Sequence, residues 1–255
     1  MMPPASITLA RLAVGAGFLT LWQVLVDWGV ADRFFFSRPS DIGRRIVVML
    51  QDPRIWAHLG ITLAEAALAF FIGGGLGVAA GFLLARRRWW AEVLEPYLRL
   101  ANALPRVVLA PIFLLWFGLG LLSKVFLGVT VVFFVVFFNT YQGVRQVDPL
   151  LLNNVRMLGA NERQLARHVL IPAALTWIFS SLQLSLGFAL IAVVVGEYLG
   201  ASRGLGYLIA QAEGVFDTTG VFAGLTVLST TVLVAGGAMR RLERWLLRWK
   251  PESQR

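Results

Sequence analysis

The sequence predicts an all-α polytopic membrane protein with six transmembrane helices, and three observations carry that expectation. The first is composition. Of 255 residues, 58% are hydrophobic and only 15% are charged, against about 25% charged in ordinary soluble domains. So few charges cannot cover a water-exposed surface, and the mean hydropathy of +0.72 agrees. The second is the length of the uncharged runs. Residues 66–85, 125–144 and 169–196 are each free of charge and exceed the about 18 apolar residues that read as a helix crossing the bilayer. The third is where the cations fall: they cluster between the apolar runs, as in the loops on the cytoplasmic side of membrane proteins.

The net charge of +9 therefore reads as membrane topology and not as nucleic-acid binding. The chain has no cysteine, which excludes disulfides and thiolate metal sites. The first span is expected over residues 7–26, retained and not cleaved, because no small-residue cleavage site follows it. Trp22 and Trp28 lie near its far end, where amphipathic rings favour the interface. A short surface helix follows, with Ser40 as N-cap, Asp41 at the positive end of its dipole, and Ile42, Ile46, Val47 and Leu50 on one face.

The second span is expected over 59–85. Gly73, Gly77 and Gly81 recur every fourth residue there, a spacing that lets two helix backbones approach closely. The run Gly75-x-Gly77-x-x-Ala80 also fits a loose dinucleotide fingerprint. That fingerprint needs a strand before it and a helix opening after it, so inside an unbroken apolar helix it reads as packing. Arg86, Arg87, Arg88, Trp89 and Trp90 close the span. A third span is expected over 98–120, kinked by Pro105 and Pro111, followed by a tight turn at Gly118, Gly120 and Ser123. The fourth, fifth and sixth spans are expected over 124–141, 169–196 and 220–239. A basic amphipathic tail follows, with Leu242, Trp245, Leu246 and Trp249 on its apolar face. The chain divides accordingly into residues 1–58, a core of 59–240 containing the loop 142–168, and a tail of 241–255.

Six spans put both termini on one side. With the termini inside, the inner segments hold 15 Lys and Arg and the outer segments 7, so the positive-inside rule predicts cytoplasmic termini.

The loop 142–168 is the most informative segment. Asp148-Pro149 is a cap followed by proline at the first helical position. Leu151, Leu152, Val155 and Leu158 predict an apolar face, Gly159 a left-handed stop, and Asn161 with Gln164 a capping box for a second helix running to Ile171-Pro172. An apolar-faced helix outside the membrane needs a cover, such as a groove on a partner.

The segment Asn153-Asn154-Val155-Arg156-Met157-Leu158-Gly159-Ala160, continued by Val169-Leu170-Ile171-Pro172, resembles the signature cytoplasmic loop of bacterial ABC-importer permeases. That signature is Glu-Ala-Ala, three residues, Gly, nine residues, Ile, one residue, Leu-Pro. Gly159 and Pro172 match at the right spacing. Asn153-Asn154-Val155 replaces the triplet, a departure that bears on any ionic contact and not on the helix. The stretch from Leu104-Pro105-Arg106 to Pro111, the Trp116–Gly120 turn and the stretch from Glu197 to Gly206 resemble permeases for nitrate, sulfonate, taurine and thiamine-precursor uptake. The resemblance runs from about Phe36 to the C-terminus.

It implies the type I ABC-importer permease fold in a bacterial inner membrane. It also implies a complex with a second permease copy, expected as a homodimer, a cytoplasmic ATP-binding subunit carrying ATP and Mg, and a soluble substrate-binding protein. The chain itself would bind no cofactor or metal: it has no phosphate loop, and its two histidines, His58 and His168, lack ligand spacing. Residues 151–155, Leu158, Gly159, Ala160 and Pro172 are then the expected ATPase-coupling positions. Arg106, Pro111 and Glu197 are candidate pore or gate positions. For Arg106 the competing reading is snorkelling, for Glu197 hydrogen bonding in the glycine-rich loop, and for Glu65 simple reach to the interface. The third, fourth and fifth spans are expected to line the path. A secondary transporter would show paired halves and buried acids, and a membrane-bound enzyme a polar catalytic cluster; neither pattern is visible.

Overall fold

A computed structural model describes residues 4–246, with side chains for residues 6–241. The elements are α1 (Pro4–Asp27), α2 (Arg33–Phe36), α3 (Pro39–Gln51), α4 (Pro53–Ala85), α5 (Arg88–Ala103), α6 (Ala110–Phe117), α7 (Leu121–Arg145), α8 (Pro149–Met157), α9 (Glu162–Leu165), α10 (Ile171–Gly200), α11 (Leu205–Gly214) and α12 (Thr218–Leu246). A 3-10 turn, Arg106–Leu109, precedes α6, and a π-turn, Ala166–Leu170, joins α9 to α10. No strand occurs among the described residues. Among the described residues five helices are long and apolar enough to span a bilayer, and α5 with Arg106–Phe117, bent by 83°, passes the same test only when taken together, as a broken span or a re-entrant loop. The protein is a multi-pass membrane protein.

The core is α4, α7 and α10. Lipid tails are as apolar as leucine, so spans gain little by hiding hydrophobic faces from lipid; they associate by close van der Waals packing between small residues. The sequence supplies that at every crossing. A Cβ on Gly73 would lie 2.9 Å from Val132 Cβ, on Gly77 2.8 Å from the Phe133 carbonyl, and on Gly81 2.6 Å from the Phe137 carbonyl. Gly128 on α7 meets Ala69 in return, and Gly143 meets Trp177 of α10. The pairings rise together along α4 and α7, so these two helices are parallel, and α10 runs antiparallel to both. The loose dinucleotide fingerprint is thus a helix-packing face.

Several local expectations change. Pro39 occupies the first turn of α3 and Arg38 its N-cap position, so Ser40 lies within the helix. Ile42 is buried with Ile46 and Met49 half-buried beside it, whereas Val47 and Leu50 are exposed; α3 packs on one narrow stripe. α4 starts at Pro53, capped by Asp52, which puts Glu65 three turns inside the helix and not one. The expected third span is no single kinked helix: α5 ends at Ala103, and the chain turns by 83° before α6. Leu104 is extended because the following proline disfavours helical geometry before it. Pro111 sits in the first turn of α6, where its missing N–H costs nothing, so it starts a helix and kinks none. Residues 205–214, expected as a polar connection, form α11, which buries Leu205 and Ile209. Backbone α12 continues unbroken through Leu246, while the side chains of Leu242, Trp245 and Leu246 and all of Trp249 lie outside the described residues.

Glycine sizes on α4 are therefore decisive. Gly77→Val should destabilise the chain by about 2 kcal/mol or more, as overpacking does, whereas Gly75→Ala, which meets nothing within 4 Å, should be neutral. Thermal unfolding of the two variants in detergent, followed by size-exclusion fluorescence, checks the contrast.

Candidate functional site

The loop after α7 is built from local rules. Asp148 Oδ1 accepts the Leu150 N–H at 2.8 Å, and Pro149 takes the first turn of α8. At the other end the Gly159 N–H bonds the Arg156 carbonyl at 2.9 Å and the Ala160 N–H bonds the Val155 carbonyl at 3.3 Å. This pair of bonds is the Schellman arrangement, and Gly159 at φ +88° supplies the left-handed residue it needs. Asn161 then caps α9: its Oδ1 accepts from Arg163 and Gln164, and Gln164 Oε1 accepts the Asn161 N–H at 2.8 Å.

Four residues, of which Leu158 and Asn161 are caps and only Gly159 and Ala160 lie between them, thus separate α8 from the start of a helical rod that enters the membrane. The rod widens into a π-turn, closed by the Ile171 N–H to the Ala166 carbonyl. Pro172 explains it, because a proline ring collides with the carbonyl four residues back and leaves it without a donor; one wider turn relieves both problems.

The apolar residues of α8 divide between two directions. Leu152 packs against the buried cluster of Val144, Val147, Leu170, Ala174 and Ile178, and Val155 is half-buried. Leu150 and Leu158 point outward, 70% and 87% exposed, with Leu151 and Met157 exposed as well. The single face expected from spacing is therefore split: Leu152 and Val155 hold α8 to its own chain, while Leu151 and Leu158 are free. Asn153, Asn154, Gly159 are exposed and Ala160 half-buried. Glu162 ties the junction laterally, 3.2 Å from Arg156 and 3.5 Å from Arg86 at the end of α4.

The opposite end of the bundle is held by buried side chains. Three consecutive amides, those of the N-cap residue and first two residues of α11, are each captured. The Gly204 N–H bonds His58 Nδ1 at 2.9 Å, the Leu205 N–H bonds Thr62 Oγ1 at 2.9 Å, and the Gly206 N–H bonds Glu197 Oε2 at 2.7 Å. Thr62 in turn donates to Glu197 Oε1 at 2.7 Å. His58, Thr62 and Glu65 stand at i, i+4 and i+7 on one face of α4, and Glu65 is buried beside Glu197 and Lys124. Lys124 is 1% exposed, and its Nζ donates to the carbonyls of Leu119 and Gly120.

Of the gate candidates, Glu197 accepts the Thr62 hydroxyl and the Gly206 N–H. Arg106 is half-buried and donates to the Asn102 carbonyl at 3.0 Å and to Asn102 Oδ1, with its guanidinium 5.1 Å over the Phe134 ring. It satisfies the end of α5 at the break. Glu65 does not reach the interface. His58, Thr62 and Lys124 escaped the sequence reading. Lys124 carried the clearest signal, since it is one of only two lysines in the chain and stands beside the longest Val and Phe run. Among the described residues no group of three or more His, Asp or Glu side chains is placed to hold a metal.

A membrane core of α4, α7 and α10 with a capped helix-glycine-helix loop entering α10 is the architecture of a transport permease. The chain belongs to the family of binding-protein-dependent transport system inner membrane components, whose model matches residues 73–248. It is 34% identical to a putative aliphatic sulfonates transport permease of Bacillus subtilis over 94% of this chain and 87% of that one. It is 34% identical to a riboflavin transport system permease of Chloroflexus aurantiacus over 91% of this chain and 87% of that one. It is 33% identical to a formylaminopyrimidine transport permease of Halalkalibacterium halodurans over 91% and 94%. The fold is shared with an inward-facing structure of the MetNI methionine ABC transporter, at a TM-score of 0.66 and 20% identity, covering 76% of this chain and 98% of that one.

The buried latch makes a sharp prediction. Glu197→Ala strands the Gly206 N–H and leaves the Thr62 hydroxyl only the longer contact to the His58 carbonyl, 3.2 Å, and should cost roughly 3 kcal/mol. Glu197→Gln, which keeps one accepting oxygen, should cost less. Thermal unfolding gives the ranking, and deuterium exchange at residues 204–206 should rise first.

Proposed function

We propose that this chain forms the translocation path for a small solute of the nitrate, sulfonate, taurine or thiamine-precursor kind, in a bacterial inner membrane with both termini cytoplasmic. A soluble binding protein would deliver the solute, and a second copy of the chain would complete the path. ATP and Mg would be held by a cytoplasmic ATP-binding subunit, which docks on α8. The observation that carries this reading is the outward row of Leu150, Leu151, Met157 and Leu158 on a helix anchored from behind by Leu152. Such a row in water is the anchor set of a helix-in-groove contact. The named substrates of the relatives support the solute class.

In this mechanism a pull on α8 passes through the stiff Gly159–Ala160 link into α9, the π-turn and α10. Residues 151–155, Leu158, Gly159, Ala160 and Pro172 are thereby the coupling set, and Arg106, Pro111, Glu197 and the α5–α6 break border the path. Switching a gate from mostly inward to mostly outward takes about 5.5 kcal/mol of differential binding, so the docking has to be firm and the link rigid. Sparse charge on α7 and α10 suits passage without tight binding.

Two experiments test it. Leu158→Asp should abolish co-purification of the ATP-binding subunit without unfolding the permease, because Leu158 touches little of its own chain. Gly159→Val meets open space but a left-handed φ, which costs a branched residue about 1–2 kcal/mol; it should leave assembly largely intact and lower solute uptake severalfold. Wild-type assembly and uptake in both variants would remove α8 as the coupling element. For topology, single cysteines at Ser40 and Leu158 are probed with an impermeant thiol reagent in cells with a permeable outer envelope. Position 40 should label at once and position 158 only after lysis; the reverse order would invert the orientation.

A further inference from the structure

Between α3, the start of α4, the connection after α10, α11 and the start of α12 lies a cavity of about 790 Å³, within the usual range of about 300–1,000 Å³ for small-molecule sites. It opens at the end of the bundle opposite α8. Arg45, Arg54, His58, Arg203, Tyr207 and Gln211 are among the side chains on its walls. Two carboxylates also border it, and both are already engaged. Asp52 Oδ1 accepts the Arg54 N–H at 2.9 Å. Asp217 pairs with Arg45 at 2.9 Å and accepts the Gly220 N–H at 2.9 Å. The guanidiniums of Arg54 and Arg203 make no hydrogen bond or ion pair among the described residues.

His58 adds a third donor. Its Nδ1 accepts the Gly204 N–H, so the hydrogen-bond network assigns the ring proton to Nε2, which has no protein partner among the described residues. Stacking on Tyr207, with ring centroids 5.9 Å apart, holds the ring in place. The cavity therefore presents two guanidiniums from separate segments and one imidazole N–H, against a single carboxylate, that of Asp52, that is held in no ion pair among the described residues. Arginine's planar fork suits oxyanions with several oxygens.

We propose that this cavity is an anion site, in which Arg54, Arg203 and His58 receive the sulfonate group of a small solute at the outer mouth of the permease. The proposal rests on the permease reading and adds the charge class of the solute and its point of entry. His58 and Arg203 flank Gly204, so an anion held here touches the same turn that Thr62 and Glu197 latch. The contacts are partly open to water, and the site is accordingly weak, saturating at millimolar solute, as a hand-over position requires.

The absence of cysteine makes the test direct. The full chain carrying Ser202→Cys, in the cavity wall, is placed in zwitterionic-lipid nanodiscs, with Ser40→Cys as a reference at the same end outside the cavity. Each thiol is modified with a sulfonate-bearing methanethiosulfonate and with its trimethylammonium counterpart. The anionic-to-cationic rate ratio should be about tenfold higher at position 202 than at position 40, since a cleft of one sign concentrates counter-ions. Ethanesulfonate should slow modification at 202 saturably, and ethylammonium should not. Arg54→Gln with Arg203→Gln should return the ratio to the reference value, with an unchanged rate at Ser40→Cys reporting an intact fold.

Equal ratios at the two positions would overturn the proposal. So would a raised ratio without saturable protection, which reports only a diffuse positive field. Protection by anionic lipid but not by ethanesulfonate would assign the cavity to a headgroup and also overturn it. Labelling needs no ATPase, so failure here leaves α8 coupling standing, and failure of ATPase capture leaves the charge selectivity standing.

Discussion

The backbone-to-backbone approach of α4 and α7 is the contact on which the rest of the bundle depends. Gly73, Gly77 and Gly81 remove the side chains that would hold the helices apart, and Val132, Phe133 and Phe137 fill the space. Because the two helices are parallel, that one face sets their axial register, and the register decides what meets at each end. At one end it brings Thr62 and Glu65 level with Lys124 and Glu197. At the other it sets Arg86 beside Glu162. A bulky residue in the middle of the face would alter both ends at once, although neither end is near it in sequence.

The two ends are held by different physics. Around α8 the bonds are local: an Asp cap, a Schellman stop and a capping box, each formed within a few residues. Such a unit keeps its shape if it moves as a whole, which suits a part that carries motion. At the far end the bonds are long-range and buried, joining α4 and α10 to the turn at Gly204, with Lys124 of α7 closing the adjacent turn. Hydrogen bonds in a low dielectric are strong, and an unpaired group there is costly, so that end resists partial opening. The π-turn before Pro172 lies between the two regimes, at the point where the local unit becomes a membrane span.

The break between α5 and α6 belongs to the same picture. Irregular backbone at membrane depth is tolerated only where it is buried in protein or borders a cavity. Here Arg106 turns back onto Asn102 and Phe134, supplying donors to the end of α5. An arginine in this role serves the backbone at the break.

The sequence by itself determined the fold class, most of the spans and the caps of the loop over 142–168. These rest on composition, run length and caps, all of which act within a few residues and are read without knowing what lies across the bundle. Gly159, Asp148, Asn161 and Gln164 have the roles their spacing predicts, and the glycine ladder packs as its period requires. Only the tertiary structure decided which side of α8 is free, because Leu152 and Leu158 are alike in sequence and differ only in what faces them. It decided likewise that residues 98–120 hold a break of 83°, that 205–214 form a helix, and that Lys124, an external cation by its place in the chain, is buried next to two carboxyl groups. The burial of Lys124 and the latch beside it depend on partners 59 to 135 positions away, Glu65 with Lys124 and Thr62 with Glu197, and pairing at that distance is set by helix register, which no local pattern encodes.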